Sequence, residues 1–408
     1  MVPRMLSGTA FDPSLGRQMR FIAGPRQCGK STMAKAFLES AGCAGLYYNW
    51  DLRSVRQRYR TDPHFFMSDL GKDPVPRDPP WICMDEIHKY PKWKNVLKDF
   101  FDSCAERARF VVTGSARLDM FRRSGDSLTG RFFMFHLHPL ALREVAGTQA
   151  PAALPEGADA LLAAALSQGT SPARADALSQ LLVYGGFPEP FLRAKRAFHT
   201  MWQREYVDSI VGQDLRDITG IRETENVASL MQLLPERIGS PLSVNSLARD
   251  LECGHATVKG YLQALVLAYV LFRVRPYART LARALTKEEK VYFFDWSRVD
   301  APGSRFENYV ALELWTVLQL ASDRGEGPFE LRYIRTRDGK ETDFCVLRKG
   351  QPWLLAEAKL QRSPVDFHHH ANRRALGGIP FVQVVREEGV AEEREPGVVQ
   401  ISASRMFA

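Results

Sequence analysis

Gly24-Pro25-Arg26-Gln27-Cys28-Gly29-Lys30-Ser31 decides how this chain is read, because these residues have the spacing of a phosphate-binding loop and stand where such a loop must stand. A strand-like apolar run (Met19, Phe21, Ile22, Ala23) precedes them, and a helix-like stretch from Thr32 to Glu39 follows. Strand, loop and helix in that order surround an anion with backbone amides and a helix N-terminus. Gly24 and Gly29 let the backbone wrap the anion, with Pro25, Arg26, Gln27 and Cys28 between them. Lys30 would reach the terminal phosphates, and the hydroxyl of Ser31, next to Thr32, would sit on Mg2+. The motif predicts a nucleoside triphosphate site, and ATP with Mg2+ as its occupants.

Working outward, Leu46-Tyr47-Tyr48-Asn49-Trp50 reads as a second strand and Trp81-Ile82-Cys83-Met84-Asp85-Glu86 as a third. A central parallel strand is buried on both faces, hence the apolar run, and its ligands gather at its C-terminal end, hence the acids. Asp85 would hold Mg2+ through water, and Glu86 would polarise the attacking water, which favours hydrolysis over transfer to a small acceptor. A helix from Lys92 to Cys104 follows, then strand Arg109–Val112 closing on Thr113-Gly114-Ser115. Thr113 or Ser115 would sense the γ-phosphate, or merely cap the next helix. Arg131 precedes a further strand, Phe132–Leu137; it would stabilise the transferred phosphate in cis or from a neighbouring subunit, or else be solvated or paired with an acid. Arg117, Arg122 and Arg123 carry the same alternatives with less claim on the role.

The length of 408 residues suggests roughly two to four domains. An apolar fraction of 45% and a charged fraction of 25% are those of a globular protein. No apolar run approaches the roughly 18 residues that span a bilayer, and no signal-peptide core opens the chain, so the expectation is a cytoplasmic protein without a membrane partner. The six cysteines form no Cys-x-x-Cys pair, which argues against a disulfide framework and a zinc knuckle. A net charge of +8 and a pI near 9.2 favour a polyanionic partner.

Residues 149–180 are rich in Ala, Pro, Gly and Ser and predict an insertion or helical hairpin; helical patterns then run from Ala175 to Ile218, broken by Gly185-Gly186-Phe187-Pro188. Ser243 to Leu251, the turn Cys253-Gly254-His255, and Thr257 to Leu267 have helix-turn-helix spacing. The strand-like pair Tyr269–Val274 and Val291–Phe294 would form a wing, with Arg273, Arg275, Arg279, Arg283 and Lys287 available to DNA phosphates, unless the module only packs between domains. In the C-terminal stretch, a helix opening at Phe306-Glu307-Asn308 leads to strands Leu331–Arg335, Thr342–Leu347 and Trp353–Lys359. Alternate strand residues share a face, so Asp343, Glu357 and Lys359 fall on one edge. Two carboxylates there would hold Mg2+, with Glu307 completing the metal site and Lys359 orienting water. His368-His369-His370 falls just beyond and reads as an exposed helical face, since adjacent helical residues diverge.

These motifs together resemble the bacterial and archaeal AAA-type ATPases that carry a restriction-endonuclease-like C-terminal domain of poorly known function. The resemblance rests on Gly24–Ser31, Trp81–Glu86, Thr113-Gly114-Ser115, the run Ser127–Glu144 with Gly130-Arg131 and Pro139-Leu140, and the later stretches Tyr292–Asp295 and Phe306–Lys359, where Gln361 also fits some members. It implies an α/β chain with a P-loop parallel-sheet ATPase domain (1–148), a helical lid and insertion (149–238), a winged-helix module (239–290) and a nuclease-like α/β domain (291–408). It further implies ATP hydrolysis and assembly as a homo-oligomeric ring or dimer, and the leading reading of the whole chain is an ATP-driven enzyme acting on DNA, duplex or branched. Either nucleotide state governs a metal-dependent nuclease, or the nuclease fold is inert and the partner is a protein.

Overall fold

The computed structural model describes residues 2–70, 79–114, 128–148, 153–215, 224–278, 288–336 and 338–408. Ser115, Arg117, Arg122, Arg123, Arg279, Arg283 and Lys287 lie outside them. The chain divides into two compact units, Pro3–His138 and Pro139–Ala408.

The first unit is built on five strands: β1 (Met19–Ala23), β2 (Tyr47–Asn49), β3 (Trp81–Asp85), β4 (Arg109–Thr113) and β5 (Phe132–His136). Helix α1 (Lys30–Ser40) follows β1, α2 (Arg53–Thr61) follows β2, and α3 (Trp93–Cys104) follows β3. Every pairing is parallel and the strand order is β2-β3-β4-β1-β5. β1 and β3 are buried along their whole length, which is why both read as unbroken apolar runs. Helix α3 turns Trp93, Val96, Leu97, Phe100, Phe101 and Cys104 to the sheet at helical spacing. Register then sets the site: Thr113 lies beside Asp85 on one side and beside Ile22 on the other. The C-terminal ends of β3 and β4 thereby meet the loop that leaves β1.

After a short helical turn at Leu142–Val145, the second unit continues with helices α4 (Ala158–Ser167), α5 (Pro172–Tyr184), α6 (Pro188–Arg193), α7 (Arg196–Ser209) and α8 (Thr224–Leu233). Helices α9 (Val244–Asp250) and α10 (His255–Leu267) follow, the first capped by Ser243, whose side chain accepts from the Ser246 amide. Strands β6 (Leu271–Pro276) and β7 (Lys290–Phe293) lead to the long helix α11 (Pro302–Asp323), then β8 (Phe329–Arg335), β9 (Glu341–Arg348), β10 (Gln351–Lys359), α12 (Phe367–Ala375), β11 (Phe381–Val385), β12 (Ala391–Glu395) and β13 (Val398–Ser402). These strands make one eight-stranded mixed sheet in the order β12-β13-β11-β10-β9-β8-β6-β7.

Two expected boundaries are corrected. The first unit ends at His138 and not at residue 148, because residues just beyond it belong to the second: the Leu140 amide donates to the Gly186 carbonyl at 2.6 Å and the Leu142 amide to Glu313 at 2.7 Å. Nor does residue 290 divide a winged-helix module from a separate C-terminal domain. The expected wing strands, β6 and β7, pair antiparallel, but β6 also pairs parallel with β8 at Arg275 and Pro276, so both are the edge of the large sheet. Among the described residues no helix is long and apolar enough to cross a membrane.

Candidate functional site

The loop after β1 is held by its own backbone. Gly24 has φ +148°, and a Cβ there would lie 2.0 Å from the Leu137 carbonyl oxygen, so only glycine fits. Gly29, at φ +100°, caps α1, whose first-turn amides have no acceptor within the helix. Cys28 is fully buried and its thiol approaches the Leu137 carbonyl at 3.4 Å, while Arg26 and Gln27 stay outside the core. Pro25 contributes its carbonyl: the buried Lys30 ammonium donates to Gly24 O at 3.0 Å and Pro25 O at 2.6 Å. Thr32 lies on the first turn of α1.

Asp85 is the hub. Its carboxylate accepts from the Ser31 hydroxyl at 3.0 and 3.2 Å and from the hydroxyls of Thr113 and Tyr47. Thr113 therefore helps to fix Asp85, to which its hydroxyl donates. Tyr47, whose hydroxyl joins the Asp85 hub, was not singled out by the strand pattern. Buried oxygen donors from a carboxylate and a hydroxyl beside a phosphate-type loop are the hard-ligand set that Mg2+ takes, so the residues fit that ion. Glu86 sits in the left-handed region at φ +58°, its amide bonded to Thr113 O at 2.9 Å. Burial pushes its carboxyl up, against the pull of Lys89, whose ammonium stands 3.1 Å away. Lys89 also pairs with Asp51 at 2.6 Å, and His88 lies 3.6 Å from Glu86; neither was anticipated.

Of the alternatives open for Arg131, the structure shows the acid pair. This arginine precedes β5, and in a parallel sheet the N-terminal end of β5 is opposite the phosphate loop. It pairs in bidentate fashion with Asp102 at 2.7 and 3.1 Å, so in cis it does not serve the nucleotide.

In the second unit, Glu307 on α11 and Asp343 on β9 do converge, but on a lysine. The Lys290 side chain is wholly buried, its ammonium 3.0 Å from Glu307, 2.5 Å from Glu341 and 3.9 Å from Asp343. Tyr292 donates to Glu307 at 2.7 Å, and Arg335 reaches Glu341 at 3.6 Å. Burial, then the Glu307 charge, push the Asp343 carboxyl well above the usual carboxylate range. Glu357 instead pairs with Lys359 at 2.8 Å and with His369 at 3.0 Å. Its burial favours a high pKa, but His369 and Lys359 outweigh that and bring it down to about 2. An ammonium already neutralises the acid cluster, so the residues as arranged do not fit the Mg2+ expected at Glu307, Asp343 and Glu357.

His369 corrects a second expectation: it is fully buried, with Nδ1 at 2.9 Å from the Thr342 hydroxyl, because α12 lies against the sheet. Among the described residues, Asp366, His368 and His369 are the trio of potential ligands within 4.8 Å of one another, but His369 is already engaged on both nitrogens. Glu341 was within reach of sequence reasoning, since it shares a face with Asp343 on one strand; Lys290, distant in sequence, gave no signal. Arg273 and Arg275, the described arginines of the expected wing, both pair with Glu289, at 3.5 and 2.8 Å. The one Glu289 carboxylate is thus shared between two guanidiniums.

The fold and site of the first unit define an AAA-type P-loop nucleotide-binding domain. Residues 16–146 match the family described as AAA domain, and residues 175–300 match a domain of unknown function, DUF8612. An uncharacterized protein of Mycobacterium tuberculosis is 24% identical over 348 residues, covering 81% of this chain and 68% of that one. One of Haemophilus influenzae is 22% identical over 372 residues, covering 87% and 85%. Among solved structures, the Aeropyrum pernix ORC1 protein in complex with DNA gives a TM-score of 0.28 at 17% identity (75% of this chain, 92% of that one). The Bacillus subtilis DNA clamp loader delta protein gives 0.27 at 12% (75% and 95%). TM-scores this low define no shared arrangement of the whole chains.

Proposed function

We propose that the protein hydrolyses ATP and couples hydrolysis to a nucleic acid, DNA being the partner favoured by its charge. The carrying observation is the hub at Asp85, which brings Ser31, Thr113 and Tyr47 to the end of β3 with Glu86 as the next residue. Lys30 would exchange the carbonyls of Gly24 and Pro25 for phosphate oxygens. Ser31 and Asp85 would hold Mg2+, which when bound offsets phosphate charge. Glu86 would orient and polarise the attacking water, and its burial keeps competing solvent off the carboxylate. An arginine such as Arg131, facing away from its own loop, would act only on a neighbouring subunit. The net charge of +8 supports a polyanionic partner.

A specific observation favours a second reading for the C-terminal unit, as a binding module and not a nuclease: Lys290 stands among Glu307, Glu341 and Asp343, where a metal-dependent site would need its cation. The test is ATP turnover of the purified chain with Mg2+, alone and with single-stranded, duplex and branched DNA, against Lys30→Ala as the blank. Stimulation by one DNA form supports the coupling, and turnover that survives Lys30→Ala removes the ATP site. Cleavage of DNA that is lost in Asp343→Ala would restore the nuclease and overturn the second reading.

A further inference from the structure

Helix α2 carries Arg53, Arg56, Arg58 and Arg60 within nine residues. Arg58 is committed, donating to Asp69 at 2.8 Å. The other three stand at spacings of three and four, hence on one face of the helix. They line a cleft of ≈ 510 Å³ with Gln57, Lys89 and Tyr90, and no acidic side chain joins that lining. Arg53 and Arg60 are exposed, and none of the three pairs with an acid among the described residues. Seven helical residues span about 10 Å, the distance over which a DNA strand presents about three phosphates. A row of guanidiniums with no acid partner among the described residues, on that pitch, suits a chain of phosphates better than one compact anion.

The cleft touches the ATP site through one side chain. Lys89 lines it while its ammonium holds Glu86 at 3.1 Å and Asp51 at 2.6 Å. We propose that this cleft holds the phosphodiester backbone of a nucleic acid, and that Lys89, drawn toward the phosphates, releases the Glu86 carboxylate for hydrolysis. The proposal rests on the reading of Glu86 as the water-polarising residue and of DNA as the partner.

The experiment measures DNA affinity by fluorescence anisotropy, with single-stranded and duplex probes about 20 nucleotides long, ample for the three phosphates the arginine row would span, and ATP turnover with and without the same DNA. It compares the full-length chain, the triple variant Arg53→Ala/Arg56→Ala/Arg60→Ala, the charge reversal Arg60→Glu, the pair Arg273→Ala/Arg275→Ala, and Lys89→Met. Alanine suits an exposed helix face, and the milder Arg60→Glu serves if the triple variant does not fold. The triple variant is expected to lose about tenfold or more in affinity, to lower the salt slope by about three, and to lose stimulation while basal turnover stays. Lys89→Met is expected to raise basal turnover to the stimulated level, with no further rise on adding DNA. Unchanged affinity in the α2 variants, with loss in the Arg273/Arg275 pair, overturns the cleft but leaves DNA coupling standing. Stimulation of Lys89→Met equal to that of the parent overturns the link through Lys89. A parent chain that binds no DNA removes both the cleft and the reading beneath it.

Discussion

Asp85 and Lys290 show how one buried charge settles what its neighbours can do. Asp85 collects three hydroxyls, so its two oxygens are held in place before any ion arrives. Beside it, Glu86 is tied to the protein through its backbone amide and, through its carboxylate, to the Lys89 ammonium. Glu86→Gln keeps the shape and loses the charge, so turnover is expected to fall by about 10²–10³-fold while nucleotide binding, read by a fluorescent analogue, stays within about threefold. Lys290 is the opposite case, a cation enclosed by acids. Lys290→Met keeps the stem but removes the ammonium between Glu307 and Glu341, leaving them only the Tyr292 hydroxyl and the more distant Arg335, which is expected to cost about 3–5 kcal/mol. A divalent cation would then replace the lost ammonium. Mn2+ is expected to raise the melting temperature of Lys290→Met and to leave that of the parent unchanged; equal shifts in both would show that the lysine does not hold the cation's place.

At the scale of elements, the phosphate loop is a backbone structure more than a side-chain one. Gly24→Ala puts a methyl 2.0 Å from the Leu137 carbonyl, at a φ that L-residues avoid, and the loop must move to admit it. The expected outcome is loss of nucleotide binding with a penalty of about 2–3 kcal/mol, measured by urea unfolding. This element was legible in the sequence because its determinants are local: a buried strand before it, glycine at the turn, a helix after it. β3 was legible for the same reason. The wing was not, because a strand pair after two helices has the same apolar pattern whether it stands alone or joins a larger sheet, and only the pairing of β6 with β8 distinguishes them. His369 was misread for a related reason: three consecutive histidines look solvated until α12 docks and turns the middle one inward. The acid pair of Arg131 was open to sequence reading but its partner was not, because Asp102 sits on α3 and the pairing is set by where β5 begins.

The whole molecule has two cores, and each offers a different experimental handle. ATP with Mg2+ would bind the folded first unit and not its unfolded chain, so it stabilises that unit by about 2.7 kcal/mol at a hundredfold excess over Kd. The handle on the second unit is a proton. Glu313 is fully buried on α11, accepts from the Leu142 amide, and is pushed up to about 8 by its burial, against 4.5 in the unfolded chain. Between those values the folded unit keeps a proton that the unfolded chain gives up. Its contribution is therefore full below about pH 4.5, is lost as pH rises, and stays lost above about 8. The slope from this one group is at most about 1.4 kcal/mol per pH unit. Calorimetric scans from about pH 5.5 to 8, inside the window between the two pKa values, should show one transition falling with pH and insensitive to nucleotide, and another rising with ATP and Mg2+ in the parent but not in Lys30→Ala. Glu313→Gln keeps an oxygen for the Leu142 amide and removes its own titration, so it should make the first transition's pH dependence shallower, leaving the share that the raised Asp343 carboxyl contributes, and leave the second alone. A single transition moved by both nucleotide and pH would mean that the two cores unfold as one.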